Sequence, residues 1–174
     1  TANVAPKRMS DFEAFARAIA TRYSGKHTDY PFVRFWSIWN EPNLTTFLKP
    51  QFNAKGKSVA PANYARLAAA GFAGVKSGNP LAKVAIGETS ARGRDKRVKG
   101  VSDSHSPGKF AELVGKANKR LRFDGWAHHP YPVQPSVAPD GESRWPAVTM
   151  PSLERFSEEL DAWFERDRTP LWIT

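Results

Sequence analysis

Three acidic or imidazole side chains in this chain, Glu41, Glu88 and His129, fall where an apolar strand pattern runs out. That position exposes a proton-handling group above a buried sheet. Phe35 to Trp39 reads as a parallel strand covered on both faces, and Asn40-Glu41-Pro42 follows it directly. Functional side chains of such strands sit at the C-terminal end. Pro42 has no amide proton for a sheet ladder, so pairing stops just after the glutamate. The carboxyl of Glu41 is thereby expected at the rim, placed to act as a catalytic acid. His129 and Tyr131 alternate in phase past the third strand and can share one face, while His128 points the other way. The two sequential histidines are a poor pair for one metal ion compared with an i, i+4 pair on a helix.

The elements that must position these groups repeat one alternation four times. Asp11 to Tyr23 places Phe12, Phe15, Ala16, Ile19 and Tyr23 on one helical stripe, with Ser10 as N-cap and Glu13 completing a capping box. The strand through Trp39 follows. Pro61 suits a first helical position, and Tyr64, Leu67, Ala68, Gly71, Phe72 and Val75 recur at helical spacing before Ser77-Gly78-Asn79-Pro80. Val84 to Gly87 is a second strand ending in Glu88. Ser106 and Pro107 open a third helix carrying Phe110, Leu113, Val114, Ala117 and Leu121, and Phe123 to His128 forms the third strand. A Pro-, Gly- and Ser-rich loop from Val133 to Pro151 leads to a fourth helix, capped by Ser152 and facing inward through Leu153, Phe156, Leu160, Trp163 and Phe164. Pro170 to Thr174 is the last strand.

Helix and strand in the order αβαβαβαβ predict an α/β architecture with parallel pairing and right-handed crossovers. An open doubly wound sheet would carry a Gly-rich phosphate turn after its first strand, and neither that turn nor a Walker motif occurs. The expectation is therefore a (β/α)8 TIM barrel, here an incomplete segment of about four strands and four helices, since a whole barrel takes about 250 residues. Residues 1–174 are read as one partial catalytic domain. Thr1 in place of an initiator methionine suggests a fragment or a processed product.

Composition bounds the rest. With 174 residues, 40% of them hydrophobic and 12% aromatic, the chain can build a substantial core. No run approaches the roughly 18 apolar residues of a membrane span, and residues 1–20 lack a signal-peptide layout. The absence of cysteine excludes disulfides and thiolate metal sites. A net charge of +9 makes an anionic polymer a partner to weigh. Arg92, Arg94, Lys96, Arg97 and Lys99 crowd one stretch; a solvated loop is the plainer reading, a phosphate or acidic-sugar contact the sharper one. Nucleic acid is disfavoured because the remaining cations are scattered.

Trp39-Asn40-Glu41-Pro42 at one strand end, His129-Pro130-Tyr131 at the second strand end after it, and a Trp-Ile-Thr strand next resemble clan A glycoside hydrolases, particularly the cellulase-like and xylosidase-like families. The resemblance spans most of the chain and makes these strands four to seven of the barrel. It implies retaining hydrolysis of O-glycosidic bonds in a β-linked oligosaccharide or polysaccharide, without metal or organic cofactor. Glu41 becomes the general acid/base, Asn40 the partner of the sugar hydroxyl beside the reacting carbon, and the nucleophilic glutamate the residue expected just after Thr174. Such enzymes hold two carboxyl groups about 5–5.5 Å apart, one protonated and one ionised. Desolvation and a nearby negative charge keep the acid protonated. Placing both Asn40 and Glu41 in one site requires a bulge or twist, because neighbours on a regular strand face opposite ways.

Other residues carry two readings each. His129 and Tyr131 orient the nucleophile or touch sugar, or else are a satisfied core histidine and a packed tyrosine. Glu88 is a second carboxylate of the site, tuning acidity or accepting from sugar, or a rim salt bridge to Arg92 or Arg94. Trp39 and Trp172 lie close enough to strand ends to line the cleft floor. Trp145 offers a sugar platform at the cleft mouth or pins its loop down. The competing function is a non-catalytic carbohydrate-binding or interaction domain on the same scaffold, and nucleic-acid binding through the basic loop is a third. The isolated segment is expected to be inactive, and secretion is weakly favoured.

Overall fold

The computed structural model describes residues 3–132, 134, 136–141 and 143–174; Thr1 and Val133, where the Pro-rich loop is expected to begin, lie outside the described residues. Helix α1 (Met9–Arg22) leads to strand β1 (Phe35–Ser37), α2 (Ala60–Gly78) to β2 (Lys83–Ser90), α3 (Pro107–Ala117) to β3 (Gly125–His129), and α4 (Leu153–Phe164) to β4 (Leu171–Ile173). The strands stand in chain order, β1-β2-β3-β4, and every pair is parallel. This is the predicted α/β alternation.

Outward positions feed the helix layer. Ile38 meets α2 at Gly71, and Trp126 is fully buried against Phe156 and Phe164 of α4. The opposite face carries Phe35, Ala85, Gly125, Ala127 and Trp172. Three strand spacings of about 4.8 Å would separate β1 from β4 in a flat sheet. Yet the rings of Phe35 and Trp172 meet edge to face at 5.4 Å, so the sheet curls toward this side. Trp172 can lie across β3 because Gly125 has no side chain: a Cβ there would sit 2.5 Å from the indole Nε1. Sequential order and curl are together consistent with part of a TIM-barrel-like fold. Phe35 and Ile173, on the two outer strands, remain exposed.

Helices α1 and α2 approach at backbone distance. A Cβ on Gly74 would lie 2.3 Å from the Glu13 carbonyl oxygen, and one on Gly78 would lie 2.3 Å from that of Arg17. Two glycines four residues apart therefore form the seam on which α1 is seated.

Several local expectations are corrected. α1 starts at Met9 with Arg8 in the cap position, so Ser10 and Glu13 form no capping box; instead Arg8 Nε bonds Asp11 Oδ2 at 3.1 Å across the first turn. Phe15 is 60% exposed, stacked on Phe12 at the edge of the stripe. α3 ends at Ala117, and Leu121 is buried from the following turn. Ser106 does precede Pro107, but its hydroxyl donates to Asp95 Oδ2 at 2.7 Å instead of capping the helix. Ser152 precedes α4 without a side-chain cap bond, its hydroxyl being engaged by Thr149. β1 stops at Ser37, two residues short of the predicted strand, because Trp39 adopts a left-handed backbone.

The glycine seam is directly testable. Gly74→Leu is expected to lower the unfolding free energy measured by urea denaturation by about 3 kcal/mol, the upper end of overpacking costs. Ala62→Leu, on the exposed side of α2, is expected to leave it unchanged. Equal stability of the two variants would contradict the packing described.

Candidate active site

The ends of β1 and β2 are built alike. Glu41 has φ 39° and Glu88 has φ 47°, both in the left-handed region that costs a side-chain-bearing residue on the order of 1–3 kcal/mol. β2 also shifts register between Gly87 and Thr89, which turns Glu88 off the regular alternation. The two ends are tied to each other: the Glu41 amide donates to the Glu88 carbonyl at 2.9 Å. From the helix side, the buried Tyr64 hydroxyl donates to the Ile38 carbonyl at 2.8 Å and accepts from the Gly87 amide at 2.7 Å. Burial pushes the Tyr64 phenol far above its ordinary range, so it acts as a neutral strut. The backbone is thus irregular at both strand ends, at Trp39 and Glu41 after β1 and at Glu88 in β2; Asn40 lines a depression whose lining does not include Glu41, while Glu41 turns to His129.

Between the two carboxyl groups stands one imidazole. His129, at the end of β3, places Nδ1 3.0 Å from Glu41 Oε1 and Nε2 3.3 Å from Glu88 Oε1. The side chains of His129, Glu41 and Glu88 are 14%, 17% and 9% exposed, so all three face the protein rather than bulk water. Glu88 Oε2 is buried with no hydrogen-bond partner among the described residues. Of the two readings of Glu88, the inward one describes its position: its carboxylate turns to His129 and not out to the basic loop. The ring nitrogens address different carboxylates, so the three groups do not converge on one point, and among the described residues no His, Cys, Asp and Glu cluster is arranged to hold a metal ion.

Asn40 and Trp39 open onto a depression of about 780 Å³, lined also by Asn3, Ser37, Thr46 and Phe47. Trp39 donates its indole N–H to the Phe47 carbonyl at 2.8 Å and packs edge to face on Phe12. Tyr131 is 63% exposed, its ring 5.9 Å from that of His129, so the pair shares a face as the alternation predicts. His128 points into the helix layer against Phe156. Trp145 joins none of these residues. It packs on Phe156 and Trp163 with the Arg155 guanidinium 4.2 Å over its ring, and it lines a separate depression with Arg94, Lys96 and Arg144. The basic stretch is partly neutralised from within: Arg97 pairs with Asp103 at 3.4 Å, and Asp95 receives the Ser106 amide and hydroxyl.

The residues that hold the Glu41 turn in place escaped sequence reasoning. Asn43 is fully buried; its amide donates to the carbonyls of Ser90, Arg92 and His105, and its oxygen accepts from the Ser90 amide. Gln51, also fully buried, donates to the Pro42 and Leu48 carbonyls and accepts from His105 Nδ1 at 2.7 Å. Ser58 then donates to His105 Nε2 at 2.7 Å, a pattern that fits a neutral ring. His128 is held likewise, donating Nε2–H to the Val148 carbonyl and accepting from the Thr89 hydroxyl. Burial lowers both histidines from 6.5 to about 4. The one sequence hint was the position of Asn43 directly after the Glu-Pro turn.

The fold and rim residues define an α/β chain with a candidate catalytic carboxyl at the C-terminal edge of a parallel sheet. No family model matches the sequence, and no curated protein matches it. Among solved structures it is similar to a monomeric β-xylosidase from Caulobacter crescentus CB15, at 21% identity and a TM-score of 0.54 over 99% of this chain and 31% of that one. At that identity the likeness is one of fold, and the chain spans about a third of the neighbour's length. No helix among the described residues is long and apolar enough to cross a membrane.

The buried histidines give a pH-dependent stability of definite sign. Unfolded His105 and His128 take up protons near 6.5 and folded ones only near 4, so the unfolded chain binds more protons in between. Stability is full above 6.5 and falls as the pH drops toward 4, by up to about 1.4 kcal/mol per pH unit for each histidine. Denaturant midpoints across this range are expected to show the slope, and His105→Gln to flatten it. An unaltered slope in that variant would contradict the assignment.

Proposed function

We propose that this chain carries the acid/base side of a retaining glycoside hydrolase acting on β-linked sugars. The observation that carries the reading is the orientation of Glu41: its carboxyl, at the C-terminal rim of a parallel sheet, turns inward onto His129, and the residues directly before it, Trp39 and Asn40, line an open depression. The likeness of fold to a β-xylosidase is in keeping with it.

In the first step of this mechanism Glu41 gives its proton to the glycosidic oxygen as the carbon–oxygen bond breaks, while a second carboxylate attacks the anomeric carbon. In the second step the Glu41 carboxylate takes a proton from the water that displaces the enzyme ester. The nucleophile is expected directly after Thr174 in the full-length protein. The Thr174 amide donates to the His128 carbonyl at 3.2 Å, so the following residue would leave β4 on the rim that Glu41 occupies. Asn40 and Trp39, lining the depression, are assigned to the sugar. Tyr131 beside His129 is assigned to its reacting end.

A sugar-binding module would have no need of a half-buried carboxyl held in strained backbone against an imidazole, which favours the enzyme over the binder. Assays of the full-length protein on aryl β-glycosides decide the matter. Glu41→Gln is expected to lower kcat by about 10²–10⁴-fold on poor leaving groups and much less on dinitrophenyl substrates. Azide is expected to restore turnover of Glu41→Ala and yield a β-glycosyl azide. Undiminished turnover in both variants would overturn the reading.

A further inference from the structure

We infer that Glu41, His129 and Glu88 act as one unit holding two protons among three groups, so that Glu88 sets the protonation of Glu41 through the imidazole. The inference rests on the proposed role of Glu41 and adds positioning roles for His129 and Glu88.

Hydrogen-bond counting leads to it. Both ring nitrogens lie within hydrogen-bond distance of a carboxyl oxygen, at 3.0 and 3.3 Å. A neutral imidazole has one N–H and one lone pair, and ionised carboxylates only accept. One proton on the ring therefore satisfies one contact and leaves the other as two acceptors face to face. Satisfying both takes a second proton, either on Glu41, which then donates to Nδ1, or on Nδ1 itself. Glu88 decides the tautomer. It is the more buried carboxylate and, among the described residues, its Oε2 has no partner and the Nε2–H of His129 is the one hydrogen bond its charge receives. That leaves Nδ1 facing Glu41 and the second proton on the Glu41–His129 contact.

The consequence reaches both half-reactions. Before cleavage the proton shared across the Glu41–His129 contact is the one that Glu41 can pass to the leaving oxygen. When Glu41 gives its proton to the leaving oxygen, which keeps the electron pair of the broken bond, the Nδ1 contact becomes acceptor against acceptor. Taking the proton back from the attacking water removes that repulsion, so the same geometry makes Glu41 a better base in the second step. Among the described residues, Tyr131 lies beside His129, His128 precedes it and stays neutral, and Tyr64 stands behind Glu88 as a neutral phenol.

Two measurements on the full-length protein test this. In the first, ¹⁵N-histidine NMR with His129 assigned by substitution reads the ring directly. Near neutral pH the wild type is expected to show Nε2 protonated and Nδ1 in a strong hydrogen bond, and Glu88→Gln to lose that pattern. A freely averaging neutral ring in the wild type would overturn the inference, whatever the activity. In the second, the pH profile of kcat/KM in Glu88→Gln is expected to move its basic limb about one unit or more toward acid, with Glu88→Asp restoring most of it. A uniform fall in kcat with the limb unmoved would mean a purely structural Glu88. Wild type with the NMR signature and no glycosidase turnover would sink the proposed function and leave the shared-proton unit standing.

Discussion

One imidazole caught between two strand-end carboxyls is the constraint that the rest of this structure serves. Two like charges at neighbouring strand ends repel, and in a half-buried setting they would turn outward unless something between them carried protons. His129 stands between them within hydrogen-bond distance of both, and the Glu41 amide bonded to the Glu88 carbonyl keeps the pair from separating. The backbone strain at Glu41 and Glu88 is part of the same arrangement: a regular strand would send one of these side chains toward the helices.

Such strain persists only if surrounding contacts hold it. Tyr64 braces both strand ends from α2, Asn43 ties the turn after Glu41 to the end of β2, and Gln51 with His105 holds the Pro42 carbonyl. These supports are buried and hydrogen-bonded at nearly every polar atom, which makes them rigid. The exposed parts of the rim, Asn40 and Tyr131, stand on that frame and stay free to meet a ligand. A stiff base with an open upper surface is what positioning a carboxyl for proton transfer requires.

The sequence made Glu41, Glu88 and the His129–Tyr131 pair legible because strand periodicity is local: an apolar run ending in a polar residue locates a rim, and alternation says which neighbours share a face. It also made the αβ alternation and the parallel order legible, since these follow from helix and strand length. What it hid depends on tertiary partners. Ser10 looked like a cap, but α1 begins at Met9 with Arg8 before it, and the helix is seated on Gly74 and Gly78 of α2, a contact made across the fold. Trp145 could be read as a cleft platform or a loop anchor, and only the tertiary contacts of its ring with α4 and Arg155 show where it packs. Asn43, Gln51 and His105 bond groups up to 62 residues away, and no local pattern encodes such partners.

In the proposed mechanism Glu41 handles the proton while a different carboxylate forms the bond to sugar. Trapping the full-length protein with a 2-deoxy-2-fluoro dinitrophenyl β-glycoside and mapping the labelled peptide tests that division most directly. The predicted result is a covalent sugar on a glutamate immediately after Thr174, with Glu41 and Glu88 unmodified. A sugar attached to Glu41 or Glu88 would contradict it.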